Sequence, residues 1–377
     1  FLDTYALERE RGITIFSKQA VLRRRETEFT LLDTPGHVDF SSEMERTLQV
    51  LDYAVLVISA SDGIQSHTRT LWKLLAQHSI PTFLFINKMD LPGADRETIF
   101  AQLKAEFSES CINFNAVRDE SFWENLAVCD EGSLTQYLEN GGLSDTDICA
   151  LIRRRQIFPC FFGSALRLDG VEEFLDSFVR YTLPPIATHN FGASVFKIGR
   201  DAQGKRLTYM KITGGVLHVK DILRGADAHG EPWEEKADQL RIYSGTKFAS
   251  VDEAEPGCIC AVLGLTKTWP GQGLGVQPAS APAMLEPVLS YQVLLPEGFD
   301  AHTALGLLRQ LEEEDPQLHI EWNERLREIH VKLMGEIQLE ILQHLIFARF
   351  GLEVRFGTGN IIYKETIRAP VEGIGHF

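Results

Sequence analysis

The 377 residues are too many for one ordinary core, so two or three domains are expected. Apolar content of 44% and charged content of 24% are those of a soluble globular protein, and no apolar stretch approaches the ~20 residues of a membrane span. A net charge of −16 excludes a generic polyanion binder and leaves only local basic patches. Arg23-Arg24-Arg25 and Arg153-Arg154-Arg155 are the two candidates, and they read first as a solvated strand end and a helix face.

The chain begins inside a pattern rather than at Met or a signal peptide, so it reads as a fragment whose targeting is illegible. FTLLD (29–33), YAVLVIS (53–59), TFLFIN (82–87) and FPCFFGS (158–164) are short, unbroken apolar runs, as in strands buried on both faces of a parallel sheet. Helical segments separate them. One follows Ser41-Ser42, where Ser42 and Glu45 suit a capping box; another runs from about Gln65 to His78 with Leu71, Leu74 and Leu75 on one face. The alternation predicts right-handed crossovers and a doubly wound α/β sheet.

All of these runs but the second end in a polar cluster: Asp33 to His37 in DTPGH, Asn87 to Asp90 in NKMD, and Ser164-Ala165. Ligands of open α/β sheets bind at the carboxyl ends of the strands, so the three motifs should meet on one edge. The chemistry of that edge is guanine nucleotide binding. The Asp90 carboxylate can accept two parallel hydrogen bonds from the guanine N1–H and N2 amine, which adenine does not offer. Asn87 can tie the loops together, the Lys88 stem can cover a face of the base, and Ser164-Ala165 can give a backbone N–H to guanine O6. Asp33 would hold the Mg²⁺ shell through water, and the Gly36 N–H would face the γ-phosphate. Each residue also has a bland use: Asp33 as a turn cap, Asn87 in an Asx turn, Ser164 as an N-cap. Three motifs in order outweigh those uses.

LERERGITI (7–15), DTPGH (33–37), NKMD (87–90) and GSA (163–165) resemble the translational GTPases of the elongation factor G superfamily, and the resemblance runs through the whole chain. It implies that Thr14 is the switch I threonine, whose hydroxyl reaches Mg²⁺ in the GTP state, and that His37 orients the attacking water. No carboxylate partner for His37 stands out in the sequence. The phosphate loop and most of switch I lie upstream of Phe1 in that family, so the chain alone is expected to be inactive.

GRDAQGKR (199–206) matches G-x-x-x-x-G-K but ends in Arg206 where Mg²⁺ needs a hydroxyl. It lies between two strand-like runs, SVFKI and LTYMKI, with no helix behind it, so it reads as a hairpin turn. Short alternating runs punctuated by glycines then suggest a β-barrel. From about Pro287 the order strand-helix-strand-strand-helix-strand is that of the ferredoxin-like fold, with Gly351 ending its second helix. Cys111, Cys129, Cys149, Cys160, Cys258 and Cys260 show no metal spacing and read as reduced core thiols.

The expected architecture is therefore an α/β P-loop-type GTPase domain (1–186) lacking its P-loop, with an insertion around 105–150. A β-barrel (191–283), an α+β ferredoxin-like domain (286–358) and the start of a fourth domain (359–377) follow. VFKIGRDAQGKRLTYMKITGGVLHVKD looks closest to the tetracycline resistance ribosomal protection proteins. The resemblance implies GTP and Mg²⁺ as cofactors and the ribosome, its RNA and proteins, as partner. It further implies a cytoplasmic monomer acting on neither membrane nor DNA. A translocation factor and a truncated, non-catalytic scaffold are the alternatives.

Overall fold

The computed structural model describes residues 6–115 and 119–362. They form two units: one holds residues 17–33 and 45–281, the other residues 6–16, 34–44 and 282–362. In chain order the first elements are a short helix α1 (Ala6–Arg11), strands β1 (Lys18–Arg24) and β2 (Thr27–Asp33), a 3-10 turn at Val38–Phe40 and helix α2 (Ser41–Leu48). FTLLD departs from expectation here. β2 pairs antiparallel with β1 in a two-stranded ribbon, and Leu31 is exposed, so this apolar run is not a strand of the parallel sheet. The Ser42–Glu45 capping box is also absent, because α2 begins at Ser41 directly after the 3-10 turn and Ser42 already lies inside it.

The parallel sheet comprises β3 (Ala54–Ser59), β4 (Thr82–Asn87), β5 (Cys111–Asn113) and β6 (Phe158–Phe162), in the order β3-β4-β6-β5. Helices α3 (Ser66–Gln77), α4 (Arg96–Glu106), α5 (Glu120–Ala127), α6 (Glu131–Asn140), α7 (Asp145–Arg153) and α8 (Val171–Tyr181) alternate with or follow those strands. The inner strands β4 and β6 are buried on both faces, as their unbroken apolar runs require. Edge strand β3 is not: Val57 is 58% exposed and Val55 37%. The segment between β5 and β6 carries three helices, more than one crossover needs; α7 starts with a capping box of Ser144 and Asp147. Phe83, Phe161, Ile148, Ile152 and Tyr181 lead the core beneath them. In the second arginine run Arg153 and Arg154 are exposed and only Arg155 is structural. Arg155 lies over the Trp72 and Phe158 rings and donates to Thr82 Oγ1 at 2.8 Å, and burial pulls its pKa down.

Ten short strands follow: β7 (Gly192–Arg200), β8 (Arg206–Gly214), β9 (Leu217–His218), β10 (Ile222–Ala226), β11 (Pro232–Lys236), β12 (Gln239–Ser244), β13 (Lys247–Val251), β14 (Glu253–Ala254), β15 (Ile259–Leu263) and β16 (Gly273–Gly275). Six of them form an antiparallel sheet ordered β13-β12-β15-β8-β7-β16, and β9–β14 and β10–β11 are separate ribbons. Val195, Met210, Ile212, Leu240 and Val262 fill one interior. GRDAQGKR is the β7–β8 hairpin. Asp201 Oδ1 accepts from the Gln203 and Lys205 amides, and Gly204 takes a φ of 78°. This barrel is fastened to the ribbon: Gly245 N–H donates to Gln19 O at 2.7 Å, Gln19 Nε2 to Ile259 O at 3.1 Å, and Lys197 Nζ to Ser17 O at 2.9 Å.

The second unit contains β17 (Leu289–Leu294), α9 (Ala301–Glu314), a 3-10 turn at Pro316–Leu318, β18 (Glu321–Asn323), β19 (Glu328–Leu333), α10 (Glu336–Phe350), β20 (Arg355–Phe356) and β21 (Asn360–Ile361). The sheet order β18-β19-β17-β20 is that of a ferredoxin-like βαββαβ unit. Gly351 ends α10 at a φ of 63°, as a C-terminal glycine should. β21, where the fourth domain was expected to begin, pairs with β17 of the same sheet; the remainder of that segment lies outside the described residues.

Helix α10 is apolar around most of its circumference, which requires partners on two sides. Leu342 and Ile346 join the ferredoxin-like core. Ile337, Ile341 and Leu345, spaced four apart, face a second cluster of Leu7, Ile13, Ile15, Phe16 and Phe40. The segments on either side of Thr14 and the turn after His37 therefore pack on one helix.

Candidate functional site

The base-reading half of the site is built where β4 and β6 end side by side. Gly163 N–H donates to Ile86 O at 2.9 Å and Met89 N–H to Gly163 O at 3.1 Å, so the NKMD and GSA loops are sewn together by backbone. Asn87 completes the seam: its Oδ1 accepts from the Lys88 and Ala165 amides, each at 2.8 Å. Gly163 is obligatory, because a Cβ there would lie 2.2 Å from the Asp169 carbonyl oxygen. Lys88 sits in the left-handed region at a φ of 63°, a conformation costly for a residue with a Cβ and held here by the Asn87 bond to its own N–H.

Asp90 presents an ionised acceptor. The Ser164 hydroxyl first, and after it the Arg167 guanidinium at 3.1 Å, hold its carboxyl below the usual carboxylate range. Ser164 also acts in the bland way, its Oγ accepting from the Arg167 amide at 3.4 Å. The Ala165 N–H, assigned to guanine O6, is given to Asn87 Oδ1, and the Ser164 N–H to Asp169 O at 2.9 Å, so neither backbone donor is unengaged. The Lys88 side chain, assigned to a face of the base, is half exposed with Nζ 3.7 Å from Asp62 Oδ2.

Asp33 closes the β2 strand opposite Lys18 in this same unit. Thr14, Gly36 and His37 belong to the other unit. The two residues after Thr14 are held by a buried carboxylate that sequence reasoning missed. Glu8, inside α1, is fully buried, and its Oε1 accepts from the Ile15 amide at 3.0 Å and the Phe16 amide at 3.3 Å. Nothing in LERERG marks Glu8, of its two acids, as the inward one.

His37 has a carboxylate neighbour that the sequence did not reveal. Its Nδ1 accepts from the Asp39 N–H at 3.2 Å and lies 3.4 Å from Asp39 Oδ1. Acceptance at Nδ1 puts the proton of the neutral ring on Nε2, and the side chain is partly exposed. Gly36 has nothing within 4 Å of where a Cβ would sit, so its role is a matter of backbone rather than of space. Among the described residues, no group of three or more His, Cys, Asp or Glu side chains is placed to hold a metal ion. No helix among them is long and apolar enough to cross a membrane.

Comparison with known proteins bears on the family and the fold. Residues 1–184 match the profile described as Elongation factor Tu GTP binding domain, residues 190–274 Elongation factor G domain 2, and residues 284–358 Elongation Factor G, domain III. The chain belongs to the elongation factor G family of translational GTPases. It is 32% identical to Tetracycline resistance protein TetP of Clostridium perfringens, across 99% of this chain and 61% of that protein. Elongation factor G 2 of Syntrophus aciditrophicus is 29% identical across 100% of this chain and 66% of its own length. The Oxytetracycline resistance protein of Streptomyces rimosus is 32% identical across 94% and 58%. The chain thus spans about three-fifths of the length of these relatives. A crystal structure of a Thermus thermophilus protein superposes with a TM-score of 0.82 over 94% of this chain and 61% of that one, at 22% identity, a likeness of fold.

Proposed function

We propose that this chain is the GTP-binding (1–186), barrel (191–283) and ferredoxin-like (286–358) part of a ribosome-stimulated GTPase that protects ribosomes from tetracycline. The observation that carries the nucleotide reading is the Asn87 seam, which holds an ionised Asp90 beside Ser164 at the carboxyl ends of adjacent parallel strands. Two relatives named for tetracycline resistance support the protection role.

In this reading Asp90 selects guanine, Asn87 and Ser164 hold the loops, and Ala165 and Lys88 border the base. Bound GTP and Mg²⁺ supply the scissile anhydride and its countercharge. Asp33 through water and the Thr14 hydroxyl are oxygen donors of the kind a hard cation takes. The Gly36 N–H faces the terminal phosphate. His37, its Nδ1 engaged by Asp39, orients the attacking water through Nε2. The protein works in the cytoplasm as a monomer.

The sequence contains no G-x-x-x-x-G-K-[ST], so residues 1–377 alone are expected to bind GTP weakly; calorimetry giving sub-micromolar affinity for this chain would contradict that. A translocation factor is the second reading, favoured by the match to Elongation factor G 2 over the whole chain. The complete protein added to ribosomes loaded with labelled tetracycline separates them. GTP-dependent release of the drug supports protection, whereas movement of peptidyl-tRNA without release supports translocation.

A further inference from the structure

We infer that Asp39 is a positioning residue that hooks the His37 turn onto the N-terminus of α10, through a notch that Gly335 keeps open.

An α-helix leaves its first amides without intrahelical acceptors, and the residue preceding it usually supplies one. The residue before α10 is Gly335, which has no side chain to offer. The acceptor arrives from 298 positions away: Asp39 Oδ2 takes the Ile337 N–H at 2.8 Å. A carboxylate at that end also suits the helix dipole. Asp39 is itself buried, at 7% exposure, and a buried carboxyl group needs a hydrogen-bond donor such as this amide.

Gly335 is required for space alone. Its φ of −170° and ψ of 177° are extended backbone that any residue adopts. A Cβ there would fall 2.2 Å from Asp39 Cγ and 2.3 Å from both carboxylate oxygens. The glycine and the acid fit only each other. From the other side, the Asp39 backbone amide holds His37 Nδ1, and Phe40 is buried against Ile341 one turn further along α10. One residue thus grips the helix with its carboxylate and the imidazole with its amide, so a shift of α10 is carried to the ring in two bonds. This rests on the reading that His37 orients water for GTP hydrolysis.

The test uses the complete protein and ribosomes, measuring single-turnover GTP hydrolysis, GTP affinity and thermal midpoint for His37→Ala, Asp39→Ala, Asp39→Asn, Gly335→Ala and the double variant Asp39→Ala/Gly335→Ala. Asp39→Ala and Gly335→Ala should each slow ribosome-stimulated hydrolysis by about 10-fold or more, toward the roughly 10²-fold that a misplacement of about one ångström can cost, with GTP affinity within a few-fold. Asp39→Asn keeps an oxygen for the Ile337 amide and should recover most of the rate. The double variant should be no slower than Asp39→Ala, because the clash has lost its second party. If Gly335→Ala slows hydrolysis as much in the Asp39→Ala background as alone, or if both single variants lower the thermal midpoint while the rate per folded molecule stays at the parent's, the hook is wrong. If His37→Ala itself leaves the rate unchanged, the failure lies in the underlying assignment of His37.

Discussion

Asn87 and Ala165 stand 78 positions apart and are joined by a 2.8 Å hydrogen bond from the Ala165 amide to Asn87 Oδ1, the bond that makes two loops into one surface. Asn87→Ala removes the acceptor for two amides at once. Both amides are near solvent, so water replaces part of the loss and about 1 kcal/mol of stability should disappear. The larger effect is expected on the nucleotide: release of a fluorescent GDP from the complete protein should quicken at least tenfold. Asn87→Asp, which keeps the oxygen, should fall between. Release at the parent's rate in Asn87→Ala would mean that the seam does not shape the base site.

Asp90 is the proposed base reader, and its substitution should change base choice rather than abolish binding. Asp90→Asn places a donor against the guanine amine, costing roughly 1–3 kcal/mol for GTP, the size of one bidentate base contact, and moving preference toward XTP. The pH dependence follows from the same residue. Its folded pKa is depressed, first by the Ser164 hydroxyl, so the charged form prevails above the ordinary carboxylate range and is lost only as pH falls through the lower folded value. GTP affinity should therefore show no carboxylate titration between about pH 5 and 8. Equal GTP and XTP affinities in Asp90→Asn and parent would remove the assignment.

Gly163 turns the end of β6 into the GSA loop under the Asp169 carbonyl. Gly163→Ala forces that carbonyl and the Phe85 ring, 3.1 Å from the added carbon, to move. Overpacking of this kind costs about 1–3 kcal/mol. The urea midpoint should drop while the slope of the transition holds. An unshifted midpoint would show that the Asp169 turn yields freely.

Local signals sufficed wherever a residue's neighbours in sequence were also its partners in space. The inner strands TFLFIN and FPCFF were legible because burial on both faces leaves an unbroken apolar run. GRDAQGKR was legible as a turn because Asp201 and Gly204 satisfy it internally. FTLLD misled because the same apolar density serves a ribbon packed on one side, and Leu32 in fact joins Val50, Phe196 and Ile259. The site divides likewise. Asn87 and Asp90 could be read from NKMD, but Arg167 beside Asp90 could not, since an exposed arginine beyond the loop has no pattern. Asp39 was hidden because its acceptor role is completed by Ile337, and no spacing rule reaches across 298 positions.

His37 is the most exposed assignment. It precedes the 3-10 turn at Val38–Phe40, with its Nδ1 engaged by the Asp39 amide. With Nδ1 accepting an amide proton, the neutral ring offers Nε2–H to a water rather than a lone pair. It therefore contributes by orienting the water, not as a strong base. His37→Ala in the complete protein should leave GTP affinity within a few-fold, because orientation of water is no ground-state contact to the nucleotide. Ribosome-stimulated single-turnover hydrolysis should fall about 10²-fold or more, the scale of one positioned catalytic group. The bland alternative is that the imidazole merely caps the Asp39 amide. That role predicts a loss of stability with an unchanged rate per folded molecule, so thermal midpoint and single-turnover rate, measured on the same preparation, decide between the two.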